Sequence, residues 1–225
     1  MRIKRMSIGA VFCSAFVILT TGAISAVDGQ VKDHKTPIKD ITFVAFDTET
    51  TGLSPTNDRI VEVGVIKFRN GEVIEEKSWL INPGRPIPKR VQKVHGITDE
   101  MVQGKPDFKT FYPEFEAFVD GCVLIAHNAR FDVSMMREEI KRNELETPSN
   151  VVFDTLKLFR KWYPDSKSHK LSILAEHVGV NAGGFHRAEV DSLYCVLILF
   201  NGLEDRPKVD TLRELLVDAG GVMVF

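Results

Sequence analysis

Asp47 and Glu49 stand two positions apart at the end of the apolar run Phe43-Val44-Ala45-Phe46. Side chains alternate along a strand, so the two carboxylates face the same way. Like charges held together need a cation or a shared proton. Taken alone, the pair also reads as a turn with a solvated Glu49. Asp132 closes His127-Asn128-Ala129-Arg130-Phe131-Asp132, which follows the apolar run Cys122 to Ala126 and leads into a helical stretch with Met135, Met136, Glu139 and Ile140. An Asp at that place is also a common helix N-cap. Asp191 shares a helical face with Tyr194, Cys195 and Ile198, where an unpaired carboxylate is costly. A metal ion would remove that cost, and an Arg or Lys partner is the alternative. His186 stands five residues earlier, at the loop Gly183-Gly184-Phe185. An imidazole titrates near neutral pH and suits a general base that takes a proton from water.

The surrounding elements place these groups at strand ends and helix starts. Ile41 to Phe46 is short and rich in β-branched and aromatic residues, with the turn signal Thr50-Thr51-Gly52 after it. In open α/β sheets ligands gather outside the carboxyl ends of strands, where Asp47 and Glu49 are expected. Further strands are predicted near 60 to 68, 73 to 81, 122 to 126 and 150 to 153. Helices are predicted over 108 to 119, after the fourth and fifth strands, and over about 187 to 200. The pattern implies an α/β fold with a mixed five-stranded sheet flanked by helices.

Asp47-x-Glu49, His127-Asn-Ala-Arg-Phe-Asp132 and His186-Arg-Ala-Glu-Val-Asp191 resemble the three motifs of the DEDDh 3′-to-5′ exonucleases. That family includes the epsilon proofreading subunit of bacterial DNA polymerase III, the exonuclease domain of PolC-type polymerases, ribonuclease T and oligoribonuclease. The resemblance covers roughly Ile41 to Phe200 and includes Arg59-Ile-Val-Glu-Val-Gly64, Val94-His-Gly-Ile-Thr-Asp99 and His169-Lys-Leu-Ser-Ile-Leu-Ala175. The sister DEDDy group carries Tyr four residues before the last Asp, where this chain has Arg187, with His186 one residue earlier.

The resemblance implies a ribonuclease H-like fold. It also implies that Asp47, Glu49 and Asp191 bind one divalent ion, with Asp47 bridging to a second ion held by Asp132. The donors are all hard oxygens, so Mg²⁺ or Mn²⁺ is favoured over zinc. Two such ions would activate water and stabilise the leaving 3′ oxygen, and His186 would take the water's proton. The implied product is a nucleoside 5′-monophosphate. Thr50, Thr51 and Leu53 lie where family members contact the terminal nucleotide. Single-stranded nucleic acid 3′ ends are the expected partner, DNA favoured over RNA, and a polymerase partner is not indicated.

Other residues invite a role. Glu62, in the second predicted strand, could touch the metal site or hydrogen-bond backbone. His127 is a rival base, five residues before Asp132. Asp154 reads as an N-cap for a helix from Thr155. His95 and His169 have no evident chemical task.

The N-terminus has the layout of a secretory signal peptide. Arg2, Lys4 and Arg5 precede a stretch without charge from Ser7 to Val27, and the end is small and polar, Gly22-Ala23-Ile24-Ser25-Ala26. A retained membrane anchor is the main alternative, and a cytoplasmic protein the less favoured one. The expected organisation is residues 1–26 signal peptide or anchor, 27–40 linker, 41–200 exonuclease domain, and 201–225 a C-terminal helix and tail. The 225 residues and 44% apolar content suit one domain with a large core. The net charge of −2 becomes −5 once the three N-terminal cations are removed, a surface poorly suited to gripping duplex DNA by broad electrostatics. It fits a groove for a few nucleotides, with metal offsetting the carboxylates. Beyond Cys13, only Cys122 and Cys195 occur, so no disulfide framework is indicated. A proofreading subunit and a non-catalytic nucleic-acid-binding module are the other readings; the second sits poorly with five filled catalytic positions.

Overall fold

The computed structural model describes residues 35–180 and 184–225. The signal-peptide or anchor segment, 1–26, lies outside the described residues. No helix among the described residues is long and apolar enough to cross a membrane.

Along the chain come β1 (Phe43–Thr50), β2 (Ile60–Arg69), β3 (Glu72–Leu80), α1 (Lys89–His95), α2 (Asp99–Val102), α3 (Phe108–Val119) and β4 (Val123–Ala126). They are followed by α4 (Arg130–Arg142), β5 (Val151–Asp154), α5 (Thr155–Trp162), α6 (Leu171–His177), α7 (Ala188–Glu204), α8 (Leu212–Asp218) and β6 (Met223–Val224). The sheet order is β3-β2-β1-β4-β5-β6. Strand β1 runs antiparallel to β2 and parallel to β4, β5 parallels β4, and the outer pairs β2/β3 and β5/β6 are antiparallel.

Strand β1 is central and buried on both faces, which explains its unbroken apolar start. Phe43 and Ala45 join one core with Leu158 and Phe159 of α5, Leu174 of α6, Ile198 of α7 and Leu215 of α8. Val44 and Phe46 join the other with Phe111 and Phe115 of α3 and Met136 of α4. Asp47 and Glu49 continue the first of these faces, the one covered by α7, at the point where apolar packing stops.

The sheet has six strands rather than the expected five. Val151 pairs with Val224 and Val152 with Met223, while Phe225 is buried against Phe46 and Phe115 at ring-centroid distances of 5.8 and 5.9 Å. A strand of two residues has no readable period, so this return of the tail left no signal. The helix expected in 201–225 is α8, and it packs on the domain through Leu212, Leu215 and Leu216. Thr211 and Glu214 close its first turn as a capping box. Residues at the end of the expected linker are docked on the same segment, since Pro37 bridges Thr211 and Ile38 N donates to Asp210 O at 2.7 Å.

Candidate active site

Asp47 and Glu49 lie within β1, opposite Gly64 and Glu62 of β2, and not beyond the strand's end as its apolar run implied. Helix α7 brings the third carboxylate. Its first turns lie against Gly64, where a Cβ would overlap the backbone of Ala188 and Glu189, and Ser192 Oγ donates to Gly64 O at 3.1 Å. This close approach sets Asp191 over β1. One carboxylate oxygen from each of Asp47, Glu49 and Asp191 lies within 4.8 Å of the others.

Asp132 is not a helix cap. The N-cap of α4 is Ala129, and Asp132 sits in the first turn with its side chain 2% exposed. Its Oδ1 accepts from Thr48 N at 3.0 Å and from Thr48 Oγ1 at 2.8 Å. It stands outside the three-residue cluster but close enough to act on Asp47.

The electrostatics of the four carboxyls agree with one another. Burial first, then the charges of Asp132, Asp191, Glu49 and Glu62, hold the Asp47 carboxyl well above the usual range. Burial, Asp191 and Glu62 push Glu49 up to about 8, against the opposing effect of Arg187. Burial raises Asp132 to about 7 despite the lowering bonds from Thr48. Asp191 is also raised by burial, partly offset by the hydrogen bond from His186. Burial raises all four oxygen-donor groups, and neighbouring carboxylates of the set add to it at Asp47 and Glu49, an arrangement that fits divalent cations as counter-charge.

His186 is exposed, adopts a left-handed backbone (φ 70°), and donates its backbone N–H to Asp191 Oδ2 at 3.1 Å. It therefore borders the carboxylate cluster. His127 does not compete with it. Its Nε2 donates to His169 O at 2.7 Å, its Nδ1 lies 3.2 Å from Thr155 Oγ1, and its ring packs on Phe159. His169 supplies that carbonyl, the task its sequence left open. Asp154 caps α5 through Leu156 N and also accepts from Asn128 N, both at 2.9 Å, tying the second motif to the helix that follows.

Thr50 and Thr51 are buried and their hydroxyls serve the turn after β1. Thr50 Oγ1 donates to Gly52 O at 2.6 Å; Thr51 Oγ1 donates to Asp58 Oδ1 at 3.1 Å and accepts from Arg59 N at 3.0 Å. Leu53, on the same turn, is 82% exposed. Glu62 lies outside the three-carboxylate cluster and is bonded to Arg187, Ser78 and the backbone of Ala188. Sequence reasoning missed Thr48 and Arg187, whose partners lie 84 and 125 positions away.

The exonuclease family RNase_T matches residues 44–199. The PolC-type DNA polymerase III of Clostridium perfringens is 39% identical over 180 residues, covering 75% of this chain and 12% of the polymerase. That of Bacillus subtilis is 36% identical over 169 residues, again covering 75% and 12%. The chain thus spans about one-eighth of the length of these polymerases. Among solved structures, exonuclease X in complex with 5′-overhanging duplex DNA has a TM-score of 0.62 at 25% identity, over 79% of this chain and 99% of that one. E. coli exonuclease I in complex with a dA16 oligonucleotide shares the fold, with a TM-score of 0.69 at 20% identity over 79% of this chain and 43% of that one. The chain belongs to the RNase_T exonuclease family.

Proposed function

We propose that the protein hydrolyses single-stranded DNA or short oligonucleotides from the 3′ end and releases nucleoside 5′-monophosphates. The observation that carries this reading is the meeting of Asp47, Glu49 and Asp191 within 4.8 Å on a half-buried face. These three would hold one divalent cation, and Asp47 with Asp132 a second, Mg²⁺ or Mn²⁺. Two such ions, when bound, would supply an activated water and stabilise the leaving oxygen. His186 accepts the water's proton on its imidazole. Glu62 stands opposite Glu49 across β1 and β2, and its carboxylate is held by Arg187. Leu53 offers an apolar surface for the terminal base, while Thr50 and Thr51 shape the turn that presents it.

DNA is favoured over RNA because the solved neighbours include complexes with DNA. Matched 5′-labelled DNA and RNA oligonucleotides, incubated with Mn²⁺, should both be tested on a sequencing gel. DNA should shorten faster from its 3′ end; equal or faster loss of RNA would overturn the substrate assignment.

A second reading, proofreading beside a polymerase, is favoured by the likeness to PolC-type polymerases. It predicts faster removal of a mispaired than a paired 3′ nucleotide. Export through residues 1–26 is the proposed localisation, supported by the basic residues Arg2, Lys4 and Arg5 and the uncharged stretch after them. N-terminal sequencing of the protein recovered from its native compartment tests it, with a start near Ala26 or Val27 expected.

A further inference from the structure

Arg187 follows the proposed base, precedes the helix that carries Asp191, and is bound to a residue on another strand. Arg187 Nε lies 3.2 and 3.1 Å from the two carboxylate oxygens of Glu62, and Nη2 lies 2.5 Å from Oε1. Glu62 is 0% exposed on β2. Its Oε2 also accepts from Ala188 N at 3.1 Å and its Oε1 from Ser78 Oγ at 2.9 Å.

Two features of α7 make this contact more than a surface ion pair. First, the helix has no cap of its own: its N-cap residue is Arg187, whose side chain makes no capping bond. The first N–H groups of a helix lack intrahelical acceptors, so Glu62 caps α7 from across the sheet while its charge meets the positive end of the helix. Second, Glu62 and Gly64 project from the same face of β2, and Gly64 is the point where α7 comes close enough to exclude a Cβ. The carboxylate fixes the end of the helix, and the missing side chain sets its distance.

We propose that Glu62 and Arg187 are positioning residues for the reaction. They lock the start of α7 so that Asp191 meets Asp47 and Glu49, and so that His186, bonded to Asp191 through its backbone, faces the same space. The inference rests on the exonuclease reading above. Only the Glu62 partner is buried, and burying its charge offsets much of the attraction to the half-exposed Arg187, so the pair is weak evidence for stability. Its place here is explained by geometry. Displacing a catalytic group by about 1 Å can cost about 10²-fold in rate. The planar Arg fork fixes orientation in a way a Lys ammonium cannot.

The test uses the full chain as wild type, Glu62→Gln, Arg187→Gln, the double variant and Arg187→Lys. Steady-state hydrolysis of 5′-labelled single-stranded DNA is measured beside Mn²⁺ affinity by calorimetry, with circular dichroism to establish folding. Each single variant should lose about 10- to 10²-fold in kcat and in Mn²⁺ affinity, the range typical of groups that orient metal ligands, with KM within about twofold. The double variant should be no worse than the poorer single, because the two residues act as one unit. Arg187→Lys should recover only part of the loss. The Arg187 side chain is 42% exposed, so its truncation opens no core cavity. Should a single variant unfold because one charge is left buried, the neutral double decides. A folded double variant with wild-type kcat and Mn²⁺ affinity would overturn the inference. So would a rise in KM alone, which would make Arg187 a substrate contact, or a double variant that cannot fold. A wild type that hydrolyses no oligonucleotide would overturn the exonuclease reading and this inference with it, whereas active wild type with unaffected variants would overturn the inference alone.

Discussion

Thr48 and Asp132 lie 84 positions apart and share one carboxylate oxygen, which accepts from the Thr48 backbone at 3.0 Å and from its hydroxyl at 2.8 Å. Strand β1 thus carries Asp47 and Glu49 on one face and, between them, Thr48, which fixes the Asp132 carboxylate from the other face. Thr48→Val keeps the shape and the backbone donor and removes the hydroxyl bond. Denaturant titration should show a loss of about 1 kcal/mol. Because that bond favours the ionised form of Asp132, Mn²⁺ should bind more weakly as well. Unchanged Mn²⁺ affinity would show that Asp132 needs no such support.

Gly64→Ala places a methyl group on the backbone of Ala188 and Glu189. Backbone cannot rotate away, so α7 must move off the sheet and take Asp191 with it. Overpacking of this kind costs about 1–3 kcal/mol. Thermal melts should fall accordingly, and hydrolysis should fall further than stability does. A variant with full activity would mean that the helix can shift without disturbing the site.

His186→Ala should slow hydrolysis by about 10²- to 10⁴-fold while circular dichroism stays that of the wild type. A loss below about tenfold would remove His186 from the base role.

The carboxyls also predict a pH dependence. Glu49 is pushed up to about 8 and Asp132 to about 7, from ordinary values of 4.5 and 3.8. In the metal-free fold these groups hold protons that the unfolded chain releases, so the fold binds more protons between those limits. Stability from this source is complete below the ordinary values and is lost as pH rises through about 7 to 8. Melting temperature in EDTA should therefore fall from pH 5 to pH 8. Mn²⁺ should reverse the fall, raising the melting temperature more at pH 8 than at pH 6 and releasing protons on binding. A flat EDTA profile over that range would contradict the electrostatic picture.

The sequence displayed the carboxylates clearly because each follows an apolar run or occupies an apolar helical face. Phe108–Val119 was legible at both ends, with Asp107 accepting from Thr110 N as its cap. Asp132 resembled a cap because helix-start Asp residues usually are caps; its true partner, Thr48, is distant in sequence. The helix expected to end near residue 200 continues as α7 to Glu204. Gly202 serves packing there, since a Cβ at that position would collide with the Trp162 ring. The Glu62 and Arg187 pairing spans 125 positions and has no local signature.

The measurement that bears most directly on the metal-dependent site compares wild type with Asp47→Ala and Asp191→Ala on 5′-labelled single-stranded DNA, with Mn²⁺, Mg²⁺ or EDTA. Wild type with metal should yield a ladder shortening from the 3′ end, and EDTA or either substitution should abolish it. Undiminished hydrolysis in EDTA or in either aspartate variant, or an inert wild type under both metals, would contradict the assignment.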